Sequence, residues 1–214
     1  MKMVILKNLK YDFDLLRKAI FAGIAISIGG IAFMTMGNPL GPILFSFGLL
    51  TVIHYRLALY TGTVGFTELI GFNENVLSNW KVILIIILGN IIGCLAVAYL
   101  VKLGNFSFLI EPSSIVASRL AQDTLSVIVR GIGCGLIMST AVQFAREGRF
   151  LPLLFGVPLF IFCGFYHSIA DTFYYLASTF TPTREMLITL SWTYLGNYIG
   201  CSVYKLFLSE MLKN

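Results

Sequence analysis

Residues 164–175 read GFYHSIADTFYY, and how this stretch is read decides the fold. It lies inside an apolar run covering roughly residues 151–177, long enough to cross a bilayer. Yet it carries a glycine, a histidine and an aspartate near its middle. Ionisable groups at that depth are expensive, and they are kept where they line a pathway or bind neighbouring helices together.

Outward from this stretch, the whole chain of 214 residues has the same character. It is 57% hydrophobic and 12% charged, with a mean hydropathy of +0.87, too apolar for a soluble domain. Six runs approach the length needed to span: 19–36, 42–60, 82–101, 125–144, 151–177 and 186–204. Helices are the expected form, because every backbone polar group in hydrocarbon must be satisfied within its own segment. Residues 1–18 mix apolar and charged positions and read as an amphipathic segment lying on the membrane surface.

The net charge of +5 does not form a nucleic-acid patch, because the basic residues sit at the ends of the runs. With the N-terminus inside, Lys2, Lys7, Lys10, Arg17, Lys18, Lys81, Arg146, Arg149, Lys205 and Lys213 fall on one side. Lys102, Arg119 and Arg184 fall on the other, which predicts both termini in the cytoplasm. Cys94, Cys134, Cys163 and Cys201 all lie in apolar runs without metal-ligand spacing. They read as small buried hydrophobes, with neither metal nor cofactor expected. The sequence has no HExxH, nucleophile elbow or phosphate-binding loop, so an enzyme is not expected.

The chain also repeats itself. 88-LGNIIGC-94 recurs 107 positions later as 195-LGNYIGC-201, half a chain apart. Three spans per half reverse direction, so the expected architecture is an inverted 3+3 repeat, residues 19–107 and 122–214, within a single transmembrane domain. The same offset carries His167 onto Tyr60, within 57-LALYTGTVGF-66. Gly62 and Thr63 are expected to interrupt the second span, as Gly164 and its polar neighbours interrupt the fifth. Paired interruptions predict a site built from discontinuous helices. The small-residue runs 22-AGIAISIGG-30 and 131-GIGCG-135 predict close helix packing.

With these residues in view, the chain resembles the formate/nitrite transporter family over nearly its whole length. The fifth-span stretch is similar to that family's GFEHSVANM signature, and 59-LYTG-62 to its LFTGN. The run 130-RGIGCGLIMS-139 is similar to RGILCNWLV, and both LGN copies to GNIIGG-type segments. The resemblance implies an all-α, aquaporin-like fold with broken helices 2 and 5. It further implies homopentamers with one pore per protomer in the bacterial cytoplasmic membrane, conducting small monovalent anions such as formate, nitrite or hydrosulfide.

Carried over position by position, the resemblance makes His167 the central pore histidine and Thr61 its hydrogen-bonding partner. Leu59 and Tyr60 become the leucine and aromatic on the cytoplasmic side of the pore. Phe45, Leu49 and Phe160 fall at apolar pore-lining positions, Met138 is a further candidate, and Arg119 stands where many members carry a lysine at the outer mouth. The chain departs from the pattern at Tyr166, Asp171, Gly135 and Ala58, which replace a glutamate, two asparagines and a glutamate, respectively.

Histidine has a reference pKa of about 6.5, so it can serve either as a charged station or as a proton donor to a weak-acid anion between apolar rings. Asp171 raises an alternative: a neutral or cationic permeant through the same fold. Arg56, inside the second span, is a possible pore charge and a possible partner for Asp171. Arg119 is expected to be a solvated outer charge, and His54 a structural residue.

Overall fold

The computed structural model of the chain describes residues 2–64 and 76–208, with side chains described from Lys10 to Val64 and from Trp80 to Val203. The described residues form nine helices: α1 (Lys2–Met36), α2 (Leu40–His54), α3 (Tyr60–Thr63), α4 (Val76–Leu103), α5 (Pro112–Leu120), α6 (Thr124–Arg146), α7 (Leu151–Phe162), α8 (Ser168–Ala177) and α9 (Arg184–Leu208). Lys213 lies outside the described residues, as do the side chains of Lys2, Lys7 and Lys205.

Three stretches are long and apolar enough to cross a membrane: Lys10–Met36, Trp80–Leu103 and Thr124–Arg146. Their outward faces carry apolar side chains such as Leu84, Leu88, Leu95 and Val129, which suits hydrocarbon rather than water. α1 runs unbroken through residue 18 for 35 residues, roughly 50 Å at 1.5 Å per residue. Its early turns carry the Asp14–Arg17 and Asp14–Lys18 pairs, both 2.7 Å.

The runs expected at 42–60 and 151–177 are each divided. α2 ends at His54 and α3 begins at Tyr60; α7 ends at Phe162 and α8 begins at Ser168. The interruption in the first half therefore lies at residues 55–59, whereas Gly62 and Thr63 belong to α3. The second interruption is at Gly164 and its neighbours, as expected. α5 was not foreseen. Pro112 in its first turn was the available signal, since proline fits where the backbone N–H has no helical acceptor.

The two halves pack alike. α1 lies on α4 and α2, as α6 lies on α9 and α7. The LGN repeat and the small-residue runs meet at these contacts. A Cβ at Gly131 would sit 3.0 Å from the Gly196 Cα, so these backbones touch only because both residues lack one. α8 crosses to α4 and α3 to α6 and α9, which seats the end of each interruption inside the opposite half.

Three of the cysteines are buried as expected. Cys163 is exposed, because it sits at the C-terminal end of α7 where the chain turns away.

Candidate functional site

The site grows from the two chain interruptions, which share one backbone design. After α2, the Leu57 N–H returns to the Val52 carbonyl (2.8 Å), and Arg56 adopts φ +51°. After α7, the Phe165 N–H returns to the Phe160 carbonyl (2.9 Å), and Gly164 adopts φ +66°. Left-handed backbone at this point ends a helix and frees the following residues to extend. The structural equivalent of His167 is thus Leu59, one residue before the Tyr60 reached by the sequence offset. Leu59 and His167 are the extended residues from which α3 and α8 start.

Extended backbone buried at this depth needs partners, and the asparagine of each LGN copy supplies them. Asn90 Oδ1 accepts from the Tyr60 N–H (3.0 Å), while Asn90 Nδ2 donates to the carbonyls of Ala58 (2.9 Å) and Ala19 (2.8 Å). Asn197 Oδ1 accepts from the Ser168 N–H (2.8 Å), while Asn197 Nδ2 donates to the carbonyls of Tyr166 (2.8 Å) and Gly131 (2.9 Å). Both amides are fully buried and use both donors and the acceptor. Sequence reasoning treated them as parts of a repeat motif. Their signal was that an amide inside an apolar span must find partners.

His167 is 1% exposed and caps α8, its Nδ1 accepting from the Ala170 N–H (3.2 Å). Its Nε2 lies 2.9 Å from Thr61 Oγ1 on α3. Because Nδ1 accepts, the ring proton belongs on Nε2, which donates to Thr61 and leaves the threonine hydroxyl proton free to donate onward. Phe160 stacks beside the imidazole (5.8 Å between centroids), and Phe45 meets Phe160 edge-on (6.1 Å).

Two chambers approach this group from opposite ends of α2 and α7. The larger, about 610 Å³, is lined by Leu49, Val52, His54, Arg56, Leu59, Gly62 and Arg146, among others. The smaller, about 130 Å³, is lined by Phe45, Phe160, His167, Asp171 and Arg119, among others. Phe45 and Leu49, one turn apart on α2, face different chambers, as do Phe150 and Phe160 at the two ends of α7.

The remaining candidates fall around this frame. Tyr60 points away, its hydroxyl donating to the Tyr194 carbonyl (3.0 Å) and its ring against Tyr194. Met138 is fully buried in α6 and is not among the residues lining either chamber. Asp171 pairs with Arg119, not Arg56: Arg119 Nε donates to Asp171 Oδ1 at 3.3 Å. Arg119 is therefore no solvated charge; its side chain is 19% exposed and its guanidinium lies 4.0 Å over the Tyr166 ring. α5 delivers it there. Arg130 is structural in its contacts, with Nη1 donating to the Gly164 carbonyl at 2.9 Å. His54 and Arg146 line the larger chamber, a placement not anticipated for either, and Arg146 also donates to the Gly62 carbonyl at 2.7 Å.

The chain is similar to known proteins in sequence and fold. The family model described as formate/nitrite transporter matches residues 7–209. The chain is 29% identical over 208 residues to the nitrite transporter NirC of Escherichia coli strain K12, covering 86% of this chain and 77% of that protein. It is 26% identical to the uncharacterized transporter YrhG of Bacillus subtilis strain 168, covering 79% of this chain and 70% of the other. Among solved structures, a pentameric formate channel with formate bound superposes with a TM-score of 0.75 at 21% identity, covering 95% of this chain and 98% of that one. An FNT family ion channel superposes with a TM-score of 0.77 at 20% identity, covering 100% and 93%. This chain belongs to the formate/nitrite transporter family, a family of membrane transporters and not of enzymes.

Proposed function

We propose that the chain forms a membrane channel for small monovalent anions or their weak acids, of the formate, nitrite or hydrosulfide class. The two chambers serve as the halves of one pathway in each protomer of a homopentamer. The observation that carries this reading is the His167–Thr61 contact, a buried polar pair with His167 on one chamber and the flanking Leu59 and Gly62 on the other. Phe45 and Phe160 constrict the smaller-chamber side, and Leu49 and Leu59 the larger.

α2 with α3, and α7 with α8, act as the broken second and fifth spans of six, in an inverted 3+3 arrangement. The basic ends of the spans orient the larger chamber, with Arg56 and Arg146, toward the cytoplasm, and both termini with it. The membrane is the bacterial cytoplasmic one. The first turns of α1, from Lys2 through residue 18, serve as the interfacial segment at the membrane surface.

At the centre, an anion stripped of water needs donors. The neutral imidazole and the Thr61 hydroxyl provide them as an ordered chain from the Ala170 N–H outward. A second proton on His167 would face the Ala170 N–H and break the helix cap. The geometry therefore favours a hydrogen-bonding station over an imidazolium that gives up a proton. The alternative, a neutral or cationic solute, is motivated by the Asp171 carboxylate in the smaller chamber.

Reconstitution into vesicles separates the two readings. Gradients of formate, nitrite and hydrosulfide are expected to drive flux, and gradients of urea and ammonium are not. The reverse pattern would replace the anion reading with the alternative.

A further inference from the structure

The smaller chamber contains an incomplete ion pair. Arginine and carboxylate join most strongly through two parallel hydrogen bonds. Here Arg119 reaches Asp171 through Nε alone, at 3.3 Å. Its Nη1 is turned to Ser118 Oγ (3.3 Å), and among the described residues Nη2 has no hydrogen-bond partner. The Asp171 carboxylate is 2% exposed, and its Oδ2 is buried without a hydrogen-bond partner among the described residues. Both side chains line the same cavity, beside His167 and the Phe45–Phe160 ring pair.

A buried carboxylate oxygen without a donor is costly unless something in the cavity supplies one. The space, about 130 Å³, suits a solute of a few heavy atoms, given that one water occupies about 30 Å³ in the liquid. A bare anion fits this chamber poorly: the pair carries no net charge, and Oδ2 would face the anion's own oxygen. A solute with a donor and an acceptor side by side matches both open groups.

We propose that Asp171 and Arg119 form a binding site in the smaller chamber for a small weak acid in its neutral, hydrogen-bond-donating form. The acid's O–H donates to Asp171 Oδ2, and its other oxygen accepts from the Arg119 guanidinium. This site deepens the anion-or-acid reading of the pathway and rests on it. It makes Asp171 a specificity-determining residue that sorts protonated from ionised permeant before the aromatic ring pair. It also accounts for the proton that His167, occupied as a helix cap, does not supply: the acid brings its own.

The groups facing Asp171 are known from each packed element. They are Arg119 on α5, which stacks on Tyr166; His167 and Tyr174 in the same cavity; Tyr175 on α8; Cys134 on α6; and Tyr194 on α9, whereas Cys94 on α4 turns its thiol to the Ile169 carbonyl. α1 contributes Phe33 and Gly30, which do not titrate. Arg119 is the one cation in direct contact among the described residues.

The test measures labelled formate flux and membrane current together in vesicles holding the intact chain, at fixed total formate. The pH is varied on the Arg119 side. In the wild type, flux should follow the neutral acid, falling about tenfold per pH unit above the acid's own pKa, without current. Asp171→Asn keeps the side-chain shape but offers the anion an amide donor; its slope should flatten to below about threefold per unit, with anion current appearing. Asp171→Glu, which restores the acceptor, should regain the steep, electrically silent flux. A steep, silent profile in Asp171→Asn would overturn the proposal while leaving the anion-or-acid pathway standing. So would a pH-independent anion current in the wild type. Absence of formate, nitrite and hydrosulfide flux in the wild type would overturn the pathway reading and this site with it.

Discussion

The two interruptions of the chain, 55–59 and 163–167, have nearly the same backbone and opposite chemistry. Each turns back on its helix through a left-handed residue, extends, and is held by an asparagine that accepts one N–H and donates to two carbonyls. At the start of the next helix, however, one half places Leu59 without a side-chain cap and the other places His167, whose ring is itself the cap. The scaffold is thus duplicated while the polar chemistry is not. The pathway proposed above needs only one polar station between apolar walls, and a second histidine would bring another desolvation cost. The chambers differ in the same way. The larger gathers His54, Arg56 and Arg146 without a carboxylate among its described lining residues, and the smaller offsets its arginine with Asp171.

The comparison can be broken most forcefully at the asparagines. Asn90→Ala and Asn197→Ala each strip three hydrogen bonds from buried backbone. Each should lower stability by about 3 kcal/mol or more, seen as loss of folded protein in detergent thermal unfolding. If one tolerated the change and the other did not, the interruptions would not be equivalent supports.

A smaller effect should distinguish the left-handed residues. Gly164→Ala places a side chain at φ +66° with its Cβ 2.8 Å from Arg130 Nη1, and should cost about 1–2 kcal/mol. Arg56→Gly relieves the same conformation in the other half and should be neutral or stabilising by about 1 kcal/mol in the same assay. Opposite signs at matched positions would sharpen the equivalence.

The least effect is expected at the charged chamber. Arg56→Gln should lower anion uptake by about twofold to threefold at low salt and by less at high salt, because an exposed charge acts through a screened field. Salt-independent loss would point instead to direct contact with the permeant.

Much of this design was legible in the sequence, and the exceptions have physical causes. The repeat, the break beside Gly164 and the placement of His167 at that break could be read because polar residues stand out against hydrocarbon. The first break was misplaced onto Gly62 because the left-handed position there is filled by Arg56, which carries no signature of that conformation. Asp171 was visible as an anomaly, but its partner was not, since Arg119 arrives from a short helix in the linker between the halves. The role of the asparagines was hidden for a similar reason: an amide's partners lie on other elements, and only packing reveals them.

The central claim is that His167 serves the pathway through Thr61 and not merely the helix through its cap. His167→Asn separates these roles, because asparagine is a good N-cap but too short to keep the imidazole's reach to Thr61. The account predicts that vesicles carrying this variant hold folded protein, destabilised by no more than about 1–3 kcal/mol, while formate and nitrite uptake falls about tenfold or more. Wild-type uptake by the folded variant would contradict it.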